Sequence, residues 1–250
     1  MAPILYRHAA NNRRDINSVL KPRRSSDRIH KGLEADVWQQ KNKKEQVLVL
    51  SHNDPQLNNS PKVRAKKLLA ETARQEEQGE DVPLILEAKQ GMSSTAVRRL
   101  VWMINRFGPK TDTHITSFYP GKVDAASAAA QKLGAKHIKT GLNLVGYKFP
   151  TSYREFKGQL GRILLLRNTL SFLGKNWDYF GSKVDSIHFP IADMKTNQPY
   201  IEALNRMREK KQLRPLEVIQ YTSRETAEER KRILKEAEEK GYSYQGVIVE

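Results

Sequence analysis

What most constrains this chain is a regular alternation of short apolar stretches with amphipathic helical patterns. Strand-like stretches occur at 4–8, 33–37, 82–89, 113–118, 136–142, 185–190, 216–222 and 246–249. Helical spacing fills the gaps at 14–20, 61–77, 96–107, 123–133, 153–173, 199–210 and 226–240. A further apolar stretch at 47–52 is joined to 33–37 by the polar, Lys-rich segment 39–46 and reads as a hairpin extension. Eight strands alternating with helices over 250 residues are what a (β/α)8 TIM barrel of the α/β class requires. A doubly wound open sheet is the other arrangement to weigh, but no Gly-rich phosphate loop follows the first strand. No linker or long internal repeat divides the chain, so the expectation is a single domain, 1–250, without a large insertion. Only Glu250 follows the last strand, so the eighth helix is expected to be missing. Barrel strands need cover on their outer face. The groove between the last and first strands is therefore expected to meet a partner copy of the chain or a continuation of it.

Local signals support these assignments. Ile16, Val19 and Leu20 share one helical face that Pro22 closes, and Val63, Leu68 and Leu69 point inward on a helix capped by Gly79. Ser93 or Ser94 can cap the helix at 96–107, which Gly108-Pro109 stops, and Thr222 with Glu225 makes a capping-box pattern.

Composition narrows the classes. Hydrophobic residues make up 38% and charged residues 29%, as in ordinary globular proteins, and no apolar run approaches the roughly 18–20 residues of a membrane span. The chain has no Cys, which excludes disulfides and thiolate metal sites. With no signal-peptide pattern at the start, the expected compartment is the cytoplasm, a secreted mature form being the alternative. The net charge of +16 favours anionic partners: phosphate-bearing substrates, an anionic membrane surface, or nucleic acid.

The polar residues then fall in a pattern. Glu34 and Asp36 lie two apart on a core-type strand and so project to one side. Paired acids there repel and resist desolvation unless a cation joins them. The next barrel strand ends in Glu87 and Lys89, again sharing a face. Three carboxylates at neighbouring strand ends suit a hard divalent cation, Mg2+ or Ca2+. The competing reading is an acidic cluster neutralised by Lys89 or Arg7. His8 and His52 close two further strands beside this cluster and read as a general acid and a general base. His30, His114 and His137 read as structural, while His188, late in its strand, is a candidate for the pocket lining.

In order, His8-x-x-Asn11, Glu34-x-Asp36-Val37, His52-x-Asp54, Glu87-x-Lys89 and Ser117-Phe118 resemble the phospholipase C-like phosphodiesterase superfamily, in particular its glycerophosphodiester phosphodiesterase branch. The resemblance implies Glu34, Asp36 and Glu87 as metal ligands, His8 and His52 as the acid–base pair, and Lys89 as the group that neutralises the phosphate. It also implies Asn11, Lys89 and Ser117 at the substrate, beside His188 as the candidate that strand position gives. Ala9-Ala10 stand where that branch has Arg-Gly after the histidine, and its Glu-Asn-Thr motif and its insertion are absent. The first motif is closer to the sphingomyelinase D and menorin branches, so the resemblance implies phosphodiester chemistry and leaves the substrate open.

Three functions follow as expectations. The first is a metal-dependent phosphodiesterase or phospholipase D-like enzyme acting on a phospholipid or small phosphodiester. The second is a non-catalytic barrel binding an anionic membrane or polymer. The third is a nuclease-like use of the same site. Retention of all six polar groups together favours the first over the second.

Overall fold

The computed structural model describes residues 4–21, 31–41, 46–52, 54–55, 63–143, 183–190, 194–221, 227–240 and 244–249. The chain runs β1 (Ile4–Arg7), α1 (Arg13–Leu20), β2 (Gly32–Lys41), β3 (Gln46–Leu50), β4 (Val63–Arg64) and α2 (Ala65–Glu77). It continues through β5 (Leu84–Ala88), α3 (Ser94–Phe107), β6 (Thr113–Ser117), α4 (Pro120–Leu133) and β7 (Ile138–Asn143). The last described elements are β8 (Ser186–Pro190), α5 (Met194–Lys210), β9 (Glu217–Tyr221), α6 (Ala227–Glu239) and β10 (Gly246–Val249).

Eight of these strands close a parallel barrel in the order β1, β2, β5, β6, β7, β8, β9, β10, with β10 pairing back onto β1. The expected (β/α)8 barrel is the observed fold. β2 outruns the barrel wall and pairs antiparallel with β3, in line with the expected hairpin extension. Two helix starts differ. The helix expected from 61 begins at Ala65, and Val63 with Arg64 instead forms β4 against β3. Pairing there covers an edge that β3 would otherwise leave open. Similarly, α5 starts at Met194 rather than at Pro199, so Pro199 lies inside the helix instead of at its first position. The helical pattern at 153–173, the Thr222–Glu225 pair and His30 lie outside the described residues.

Strand parity divides the protein into two cores. Outward-facing Leu33, Ala35, Val37, Leu84, Leu86 and Ile115 meet the inner faces of α1 to α4, where Leu68, Leu69, Val97, Leu100 and Ile104 are fully buried. Each such side chain contributes about 1.5–3 kcal/mol of burial. α3 shows why the local sequence folds as it does. Ser93 accepts a hydrogen bond from the Ala96 amide at 3.2 Å, and Gly108 ends the helix.

The barrel interior is filled by Tyr6, Ile85, Ile219 and Ile248. Tyr6 stands between two glycines, and a Cβ on either Gly32 or Gly246 would come within 2.6 Å of its ring. Near the N-terminal ends of the strands, a polar network crosses the interior. His114 Nε2 lies 3.2 Å from Glu217, and its Nδ1 lies 3.0 Å from Ser186 Oγ, which in turn lies 3.0 Å from His188 Nε2. Lys139 bridges Glu217 and Asp112.

Burial alone would raise the Glu217 carboxyl, but His114 and Lys139 outweigh it and hold the group down at about 2. A carboxyl lowered on folding stabilises the protein above its unfolded value, and that contribution fades as pH falls through the folded value. Glu217→Gln is therefore expected to be less stable than wild type at neutral pH. The gap should close between about pH 4.5 and pH 2, read by urea midpoints across that range. A gap independent of pH would show that the ion pairs do not carry this stability.

Candidate active site

Barrel strands deliver inward side chains to the C-terminal mouth, the end where such folds build sites. In register, Glu34 pairs with Ile85 and Asp36 with Glu87, which puts Asp36 and Glu87 side by side on adjacent strands. Glu34, Asp36 and Glu87 are 3%, 1% and 8% exposed. Each offers a carboxylate oxygen within 4.8 Å of the others. Lys89, just past β5, sets its Nζ 2.6 Å from both Asp36 Oδ1 and Glu87 Oε1. Arg7 faces outward to Asp15 at 3.4 Å and takes no part.

Each acid on β2 holds one histidine. His8 Nδ1 lies 3.0 Å from Glu34 Oε2, and His52 Nδ1 lies 3.0 Å from Asp36 Oδ2. Nδ1 engagement fixes the orientation of each imidazole. The two rings meet edge to face with centroids 5.8 Å apart. The His52 side chain is 61% exposed and that of His8 35%, so both reach solvent from a buried anchor.

The backbone around Glu34 is built to hold it. Ala9 has φ of +47°, the left-handed region that non-glycine residues seldom adopt. Its amide donates to Glu34 Oε2 at 2.7 Å, and the Ala10 amide donates to the Glu34 carbonyl, also at 2.7 Å. Strain of this kind persists where surrounding bonds fix it.

Electrostatics separates the three acids. Burial pushes Asp36 up, but hydrogen bonds from His52, Lys89 and Asn11 outweigh it and leave the carboxyl below its ordinary value. Glu87 goes the other way. Burial, with the negative charges of Asp36 and Glu34, drives it well above the carboxylate range despite Lys89. The carboxylates hold Lys89 above its usual value against the effect of burial, and the hydrogen bond to Asp36 raises His52.

Four residues expected at the substrate have different surroundings. Asn11 is buried, with Nδ2 donating to Asp36 Oδ2 at 2.8 Å and Oδ1 accepting from the Asp36 amide at 2.9 Å. The structure therefore makes it the clamp of a carboxylate rather than a pocket-edge group. Ser117 lies on the outward parity of β6 and donates to the Ala88 carbonyl at 2.8 Å. His188 faces inward but is 1% exposed, deep in the network with Ser186. Of the four, Asn11 touches one of the carboxylates and Lys89 touches two.

Sequence reasoning missed Lys122. From the first turn of α4 it donates to the carbonyls of Lys89 at 2.7 Å and Gln90 at 2.8 Å, under the Tyr119 ring. Burial pushes its ammonium down to about 8. Nothing in a lysine near a helix start announces such a contact.

The donors fit a hard cation: all are carboxylate oxygens, and three acids against one lysine leave a formal charge of −2, from −3 and +1. Among the described residues no helix is long and apolar enough to cross a membrane.

No protein-family profile matches the chain, and no curated protein matches it in sequence. Solved structures do resemble it. A glycerophosphodiester phosphodiesterase from Parabacteroides distasonis superposes with a TM-score of 0.55 at 14% identity, over 98% of this chain and 92% of that one. At this identity the likeness establishes the barrel fold. The carboxyl transferase domain of Rhizobium etli pyruvate carboxylase follows at a TM-score of 0.44 and 10% identity, over 75% of this chain and 29% of that chain. An EAL domain protein from Listeria monocytogenes follows at 0.34 and 14%, over 76% and 74%. Both likenesses are too weak to support an argument.

Titration calorimetry with Mg2+ and Ca2+ is expected to show one site that Glu34→Ala and Glu87→Gln each abolish. Unchanged binding by either variant would remove that residue from the ligand set.

Proposed function

We propose that the protein is a phosphodiester hydrolase that works with one divalent cation. The observation that carries this is the joint placement of Glu34, Asp36 and Glu87 with two histidines, each tied to a different carboxylate, at one barrel mouth. The barrel shared with a glycerophosphodiester phosphodiesterase is consistent with this reading at the level of fold.

Glu34, Asp36 and Glu87 would hold Mg2+ or Ca2+, which polarises a phosphoryl oxygen when bound. Lys89, already inside the cluster, adds a second positive charge for the anionic phosphate. His52, whose protonated form the hydrogen bond to Asp36 favours, would give a proton to the leaving oxygen. His8, with Nδ1 on Glu34, accepts the proton of the attacking water or hydroxyl at Nε2. Asn11 keeps the Asp36 carboxylate in place, and the Ala9 amide does the same for Glu34. The substrate is a phosphodiester, with phospholipids and small glycerol-type diesters the classes to compare.

Turnover of a panel of lysophospholipids, glycerophosphodiesters and nucleic-acid diesters, with and without chelator, tests the reading. Chelation should abolish activity. His8→Ala and His52→Ala should each lower turnover by about 10²–10⁴ while the fold remains. Activity that survives chelation, or either variant at full rate on the best substrate, would overturn the assignment.

A further inference from the structure

Away from the barrel mouth, α3 carries an outer face with an unusual make-up. Its buried side is Ala96, Val97, Leu100, Val101, Met103 and Ile104. The opposite side, at helical spacing, is Arg98, Arg99, Trp102 and Arg106, and no acidic residue occurs anywhere in the helix. Trp102 is 45% exposed, and among the described residues only Leu133 joins it as an exposed large hydrophobic. Its indole meets Phe107 edge to face at 5.6 Å. The Arg106 guanidinium lies 5.7 Å from the Trp102 ring and 5.6 Å from that of Phe107, while Lys66 of α2 lies 4.3 Å from Phe107.

The neighbouring acids do little to offset these charges. Glu71 is tied to Lys21 and Arg74, and Glu76 accepts from the amides of Lys110 and Thr111. Glu77, at the end of α2, is exposed. A cationic face centred on one indole remains, on a chain whose net charge is +16.

We infer that this face of α3 docks onto the surface of an anionic lipid bilayer, with Trp102 in the interfacial layer and Lys66, Arg98 and Arg106 on lipid phosphates. Amphipathic rings settle at the headgroup level, and basic side chains beside them are drawn to anionic lipids. A protein partner fits less well, because one indole is far too little apolar area for an interface core. A single-stranded nucleic acid fits less well too: such sites use several stacking platforms along a groove, whereas this face is a convex helix with one exposed indole.

Co-sedimentation with vesicles of phosphatidylcholine, alone or mixed with phosphatidylglycerol, tests the inference on the full chain. Binding is expected to the mixed vesicles only, and to weaken in high salt. Trp102 emission should shift to the blue and be quenched by brominated acyl chains. Trp102→Ala should remove that quenching, and each of Arg98→Gln and Arg106→Gln should weaken binding roughly fivefold. All three side chains face solvent, and an unchanged far-ultraviolet circular dichroism spectrum confirms folding of the variants. Binding that these variants leave intact would overturn the inference, because another basic surface would then be responsible. So would equal binding to neutral vesicles, or Trp102 quenching by a single-stranded oligonucleotide without vesicle binding.

Discussion

The arrangement rests on one ammonium group held between carboxylates. Parallel register brings Asp36 and Glu87 together on adjacent strands, with Glu34 close by, in an environment that resists burying charge. Lys89 touches two of the three and lets β2 and β5 end side by side at all. Its own position is set from three directions. Its amide donates to the Val37 carbonyl at 3.1 Å, its carbonyl accepts from Lys122, and its ammonium is drawn to the acids. The cluster is thus a balanced but under-neutralised centre, and Glu87 registers the deficit most strongly.

Around that centre, polar groups divide into those that hold and those that reach. Asn11, the Ala9 amide and Lys122 spend their hydrogen bonds on the site's own frame. His8 and His52 are anchored at Nδ1 on buried carboxylates while their side chains reach solvent. An inward strand position supplies rigidity, while the loop after it supplies exposure. That explains why the carboxylates lie within strands and both histidines lie just beyond them.

Much of this was legible in the sequence. Periodicity of two placed Glu34 with Asp36, and the strand–helix alternation was enough for the barrel. Arg7 was separable from His8 by parity alone. The same parity argument, applied to β6, turns Ser117 away from the interior and Thr116 towards it, yet a strand-end serine looks the same on either face until register is known. Asn11 was legible as a member of the cluster but not as a clamp, because its partner lies 25 positions away and the tight turn at Ala9 brings them together. The position of α3's exposed tryptophan follows from helical spacing. Its cationic surroundings also involve Lys66 on another helix, which only packing reveals.

Tyr6 has a consequence for traffic through the molecule. Its ring, wedged between Gly32 and Gly246 and close to Glu217, fills the barrel interior with Ile85, Ile219 and Ile248. Under the proposed function, the chemistry would take place in a well whose base Tyr6 fills. Substrate would then enter, and both products would leave, through the one mouth.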